Sequence, residues 1–122
     1  MDKKRQVVLI VVDEALIRMD AVDAITDAGY GVIQASDADD AIRILETCDD
    51  VTIIFTDIDM PAGSMNGLRL AAVVQYRWPP IQIDATSGRV EIQHGDLPPG
   101  SLFLAKPYKH RVMSSVLAEM VD

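Results

Sequence analysis

The sequence has one cysteine, Cys48, two histidines, His94 and His110, and only 5% aromatic residues. A lone cysteine excludes an internal disulfide, and two histidines beside it argue against a Cys/His zinc site. Basic residues are scarce: Lys plus Arg total 11 against 19 Asp plus Glu, a net charge of −8. Proteins that neutralise nucleic-acid phosphates or sit on anionic membranes need the opposite balance, so direct binding to either is disfavoured. No apolar run approaches the length of a membrane span. Met1 to Arg5 lead straight into a strand-like segment, without the apolar core and cleavage site of a signal peptide. The expected location is cytoplasmic. With so few aromatics, the core must be built from Val, Ile, Leu, Ala and Met.

What is present reads as one domain, residues 1–122, with 49% apolar and 25% charged residues. Val7 to Val12 (VVLIVV) is a continuous β-branched run, suited to a strand buried on both faces. Ile17, Ala21, Ala24, Ile25 and Ala28 follow at helical spacing, ended by Gly29. Gly31 to Ala35 is a second strand, and Ser36 or Asp37 caps a helix carrying Ala38, Ala41, Ile42 and Leu45. Val51 to Thr56 is a third strand, followed by a loop and a helix with Leu68, Ala71 and Val74, which Pro79 and Pro80 must end. Ile81 to Ala85 is strand-like but interrupted by Asp84. Ser101 to Ala105 is a fifth strand, and a last helix carries Val112, Val116, Leu117 and Met120. Between Gly88 and Leu102 the glycines and prolines leave room for a turn or two of helix, around Val90 to Gln93. Strands alternating with helices predict βαβ units and a parallel sheet covered on both faces.

Ligands of such sheets bind beyond the carboxyl ends of the strands. Asp13 and Glu14 follow strand one, Asp57 and Asp59 strand three, Thr86 and Ser87 strand four, and Lys106 with Pro107 strand five. Carboxylates, a hydroxyl and a lysine therefore converge on one edge. Neighbouring carboxylates repel, and a hard divalent cation relieves that repulsion using one or two protein carboxylates. A carboxylate is also a nucleophile toward phosphorus. The resulting phosphoryl oxygens need donors, which a lysine and a hydroxyl supply.

These residues resemble the receiver domains of bacterial two-component response regulators. The marks are VVLIVVDE, IIFTDIDMP, ATSG and FLAKPY, and the resemblance covers nearly the whole chain. It implies a flavodoxin-like doubly wound (βα)5 sandwich with a five-stranded parallel sheet in order 2-1-3-4-5, here with a short or irregular fourth helix. Carried over, Asp57 is the phosphoacceptor. Asp13, Asp57 and the backbone carbonyl of Asp59 hold Mg2+. Thr86 is the switch hydroxyl, Lys106 contacts the phosphoryl oxygens ahead of a cis Pro107, and Phe103 occupies the aromatic switch position. The implied function is Mg2+-dependent phosphoryl acceptance from a sensor histidine kinase or phosphotransfer protein, with output to a downstream protein or effector domain. Such a domain phosphorylates and dephosphorylates itself and is not a turnover enzyme. A monomer or weak homodimer is expected.

Three departures stand out. Val12 replaces the first of two adjacent acids, which implies weaker Mg2+ binding; Glu14 is expected to point elsewhere. Asp84 lies where the family is apolar, and it could face the sheet edge, pair with a basic residue or approach the site from the side. The Pro-rich segment before strand five alters helix four and with it any family-typical dimer. A degenerate receiver that acts by protein binding alone is the competing reading. A capped aspartyl-phosphate hydrolase is disfavoured because 122 residues leave no room for a cap. Among the remaining polar and sulfur side chains, Ser87 is expected to cap a helix, Met60 and Met65 to pack, Arg89, His94 and His110 to lie on the surface, and Cys48 to be at least half-buried.

Overall fold

The computed structural model describes residues 6–60, 65–88, 92–93 and 95–121. Five strands, β1 (Val7–Val11), β2 (Gly31–Ala35), β3 (Val51–Asp57), β4 (Gln82–Ser87) and β5 (Leu102–Ala105), pair in parallel in the order β2-β1-β3-β4-β5. The helices are α1 (Ala15–Asp27), α2 (Ala38–Thr47), α3 (Gly67–Arg77) and α4 (His110–Val121). Order and class match the sequence expectation. Between β4 and β5 the described residues contain no helix. Val90 and Glu91, half of the turn expected there, and Arg89 and His94 lie outside the described residues.

The alternation within each strand divides the core. Val8, Ile10, Val12, Ile53 and Phe55 face Ala21, Ala24 and Ile25 of α1 and Met113 and Leu117 of α4. Leu9, Val11, Ile54 and Ile83 face Ala38, Ala41 and Leu45 of α2 and Leu70, Ala71 and Val74 of α3. This two-faced burial is why β1 reads as an unbroken apolar run. Small alanines on α1 and α2 let those helices sit close to the sheet. Met60, Met65 and Cys48 are half-buried and pack against the α2–α3 side, as expected of them, and Trp78 packs there too.

Local signals set the helix ends. Asp37, not Ser36, caps α2, accepting the Asp40 N–H at 2.8 Å. Asn66 caps α3 by accepting the Arg69 N–H at 2.9 Å. Gly29, at φ 98°, takes the left-handed conformation that turns the chain from α1 toward β2.

Asp84 answers to none of the three placements left open by the sequence. It lies inside the sheet, between Phe55 of β3 and Leu102 of β5 in register, and is 0% exposed. Neither carboxyl oxygen has a hydrogen-bond partner. Desolvation by burial pushes its pKa up to about 8, so it is neutral at pH 7. An unfolded chain would release that proton near 3.8, the ordinary aspartate value. Below 3.8 both states hold the proton; between 3.8 and 8 only the folded state does, so stability falls as pH rises through that window. The slope is about 1.4 kcal/mol per pH unit. Urea unfolding of wild type and Asp84→Asn at pH 5 and pH 7 should therefore diverge by roughly 3 kcal/mol, with the variant gaining at the higher pH. Parallel pH profiles would show that Asp84 is not the group responsible.

Candidate functional site

Parallel pairing brings the ends of β1, β3 and β5 to one edge, and a cleft of about 720 Å3 opens there. Asp13, Asp57, Asp59, Asn66, Gly88 and Lys106 line it, together with Glu14, which the sequence reading had pointing elsewhere. Glu14 stands at the N-terminal boundary of α1 without capping it through its side chain, which leaves it beside the cleft.

Asp57 is the last residue of β3 and is only 3% exposed. Lys106 Nζ donates to Asp57 Oδ2 at 2.7 Å, and the Asp59 N–H donates to Asp57 Oδ1 at 2.9 Å. Both carboxylate oxygens are thus held, one by a charge and one by the backbone of the following turn. Two backbone bonds extend the ladder beyond the strands. Ile58 N–H donates to Thr86 O at 2.9 Å, and Lys106 N–H donates to Ser87 O at 3.1 Å. They fix the bases of three loops relative to one another. The Lys106–Pro107 peptide is cis, as expected.

Thr86 is the register partner of Asp57 on β4. Its hydroxyl donates to Leu104 O of β5 at 2.5 Å, so it is turned away from Asp57. Phe103, beside it on the edge strand, is 37% exposed. The side chain of Asp59 had no role in the sequence reading beyond its carbonyl. Its carboxylate accepts from Ser87 Oγ at 3.0 and 2.9 Å and from the Gly88 N–H at 3.0 Å, clasping the β3 loop to the end of β4. Ser87 therefore belongs to β4 and to this clasp, and does not cap a helix. The acid-rich loop and adjoining hydroxyl were visible in the sequence; their pairing across 28 residues was not.

The residues offered to a cation are all hard oxygen donors: the carboxylates of Asp13 and Asp57 and the carbonyl of Asp59. No cluster of three or more His, Cys, Asp or Glu side chains suited to a metal occurs among the described residues. The Asp59 carboxylate is committed to Ser87 and Gly88. Two carboxylates and a carbonyl fit Mg2+, which keeps several waters and needs no all-protein cage. Val12 is 1% exposed and packs into the α1–α4 side of the core, while its carbonyl accepts from Arg18 Nη1 at 2.8 Å. The position thus adds packing to the fold and no charge to the cleft.

Comparison with known proteins bears on family and fold. The family model described as the response regulator receiver domain matches residues 8–117. The chain is 31% identical over 119 residues to the sensor kinase CckA of Brucella abortus, covering 94% of this chain and 12% of the kinase. It therefore spans about an eighth of that relative's length. Its fold is similar to the chemotaxis protein CheY4 of Vibrio cholerae, with TM-score 0.83, 23% identity and coverage of 94% and 98% of the two chains. NtrX of Brucella abortus matches with TM-score 0.84 and 24% identity over 94% of this chain and 26% of that one.

Gly67 seats α3 against the site. A Cβ there would lie 2.2 Å from Asp57 O and 2.6 Å from Ile58 Cα, both backbone atoms that cannot turn aside. Gly67→Ala is expected to destabilise the fold by about 1–3 kcal/mol in thermal or urea unfolding and to displace the Asp57 turn. An alanine variant with wild-type stability would contradict this seating.

Proposed function

The chain belongs to the response regulator receiver family, and on that premise we propose that Asp57 accepts a phosphoryl group from the histidine of a partner sensor kinase or phosphotransfer protein. The observation that carries the proposal is the grip on Asp57: Lys106 on one oxygen and the Asp59 amide on the other, in an open cleft shared with Asp13. In the transfer the donor's N–P bond breaks and an O–P bond to Asp57 forms. Negative charge is spread over the phosphoryl oxygens in transit, and catalysis rests on donors fixed in advance. Lys106 and the Asp59 N–H are such donors. Asp13, Asp57 and the Asp59 carbonyl would hold Mg2+, whose contribution when bound is to neutralise phosphoryl charge. The same site returns the phosphoryl group to water, so the domain regulates its own signal and turns over no separate product.

Thr86 and Phe103 transmit the change. The Thr86 hydroxyl bonds a neutral carbonyl, Leu104 O. A phosphoryl oxygen on its register partner Asp57 is a stronger, charged acceptor. Drawing the hydroxyl toward Asp57 releases the β5 backbone and with it Phe103, a local exchange that biases a two-state equilibrium. The receiving partner is a downstream protein or an effector domain. The domain works as a monomer or weak homodimer in the cytoplasm, with no nucleic acid or membrane contact of its own. Among the described residues, no helix is long and apolar enough to cross a membrane.

Val12 weakens the cation site without abolishing it. One missing charge about a water's breadth away is worth roughly 1–2 kcal/mol in a partly solvated site. Phosphorylation by acetyl phosphate should therefore depend on Mg2+ in the wild-type protein. Val12→Asp should reach half-maximal rate at about tenfold lower Mg2+, as that energy implies. Equal Mg2+ dependence of the two proteins would remove the claim about Val12, and a reaction indifferent to Mg2+ in both would remove the cation from the mechanism.

A further inference from the structure

Asp84 is the one fully buried carboxyl among the described residues whose oxygens both lack a hydrogen-bond partner. Its place relative to Asp57 gives it a consequence beyond stability. Phe55 pairs with Asp84 and Asp57 with Thr86, so the two acids lie on the same face of adjacent strands, offset by two residues. Strand spacing and rise put their Cα atoms about 8 Å apart. Phe55 and Thr86, both buried, complete that corner of the sheet, and charges interact more strongly in such surroundings than in water.

Among the described residues, no cation is hydrogen-bonded to either oxygen of Asp84. β1 presents only Val8, Ile10 and Val12 on this face. From β3 comes Asp57, whose charge is met by Lys106 at 2.7 Å. Tyr108 follows β5; it packs edge-on against Phe55, with ring centroids 6.1 Å apart. Burial first, then the charges of Asp20, Asp84 and Asp57, push the Tyr108 hydroxyl up to about 12, so it stays neutral across the working range. From α1 comes Asp20, which lies 3.1 Å from His110 at the start of α4. Burial is the cause that raises the Asp84 midpoint, and Asp57 is the acid that shares its face on the neighbouring strand.

We propose that Asp84 is a proton-binding site coupled to Asp57: phosphorylation of Asp57 tightens the hold of Asp84 on its proton, and loss of that proton disfavours the phosphorylated state. The inference rests on the reading of Asp57 as the phosphoacceptor. A phosphoryl group replaces one negative charge on Asp57 by about two. Added negative charge at that distance disfavours a second ionised carboxyl and shifts its midpoint up by about one pH unit. By reciprocity of linked equilibria, ionised Asp84 disfavours the phosphorylated state by the same factor, about tenfold. The pair would make the signal-bearing state less stable as pH rises past the Asp84 midpoint. A neutral side chain at position 84 would remove that dependence.

The test is a side-chain carboxyl NMR titration of the full chain at constant Mg2+, with the Asp84 resonance assigned through its own backbone so that nothing depends on a variant folding. It is run without phosphodonor, under excess acetyl phosphate with the Asp57 adduct followed by mass, and in Asp57→Asn. The expected result is an Asp84 midpoint far above the ordinary carboxyl range, higher by about one unit in the phosphorylated protein and lower in Asp57→Asn. An adduct on Asp57 with an unmoved Asp84 midpoint overturns the coupling and leaves the phosphoacceptor reading intact. Absence of any adduct overturns both, and an Asp84 midpoint near 4 overturns the proton site itself.

Discussion

A carboxylate that is almost wholly buried must have its charge answered within the protein. Asp57 is answered by Lys106 Nζ at 2.7 Å, a residue 49 positions away in the chain. Holding that pair together requires β3, β4 and β5 to lie side by side in fixed register, and the backbone bonds from Ile58 to Thr86 and from Lys106 to Ser87 carry the register into the loops. The Asp59 clasp on Ser87 and Gly88 then fixes the turn that bears the second donor to Asp57. Each of these features holds the Asp57 carboxylate in one orientation at the cleft.

Asp84 illustrates the opposite solution to the same problem. Two acids stand on one face of the sheet, and only one has partners. Asp57, at the strand end, meets an ammonium and an amide. Asp84, two residues deeper on the neighbouring strand, meets Phe55 and apolar core and resolves its burial by keeping its proton. The fold bears a cost for this that grows with pH, and a leucine at the same place would not incur it. Val12 is the mirror case. Its side chain is buried and apolar, adds to the core and brings no charge to the cleft.

Much of this was legible in the sequence, for identifiable reasons. The unbroken run at Val7–Val11 announces a strand buried on both faces, and Asp13, Asp57 and Lys106 stand where a parallel sheet gathers its chemistry. What the sequence could not show depends on contacts between distant segments. The pairing of Asp59 with Ser87 needs β3 and β4 adjacent, and Ser87 alone looks like an ordinary cap. The burial of Asp84 follows from the inward face of β4, which a strand interrupted by one acid does not declare. Glu14 was misplaced because its direction depends on how the chain enters α1, where no side-chain cap fixes the turn. The described residues between β4 and β5 form no helix, in keeping with prolines that remove donors and with the positive φ of Gly95 and Gly100.

The central claim is that Asp57, held by Lys106 and the Asp59 amide, is a nucleophile toward phosphorus. Intact-mass analysis after incubation with acetyl phosphate, with and without Mg2+, tests it most directly when run beside Asp57→Asn. The account predicts a single phosphoryl adduct that needs Mg2+ and is absent from the variant. Folded wild-type protein that stays unmodified in excess Mg2+ would contradict it, and would leave a receiver that signals through protein contacts alone.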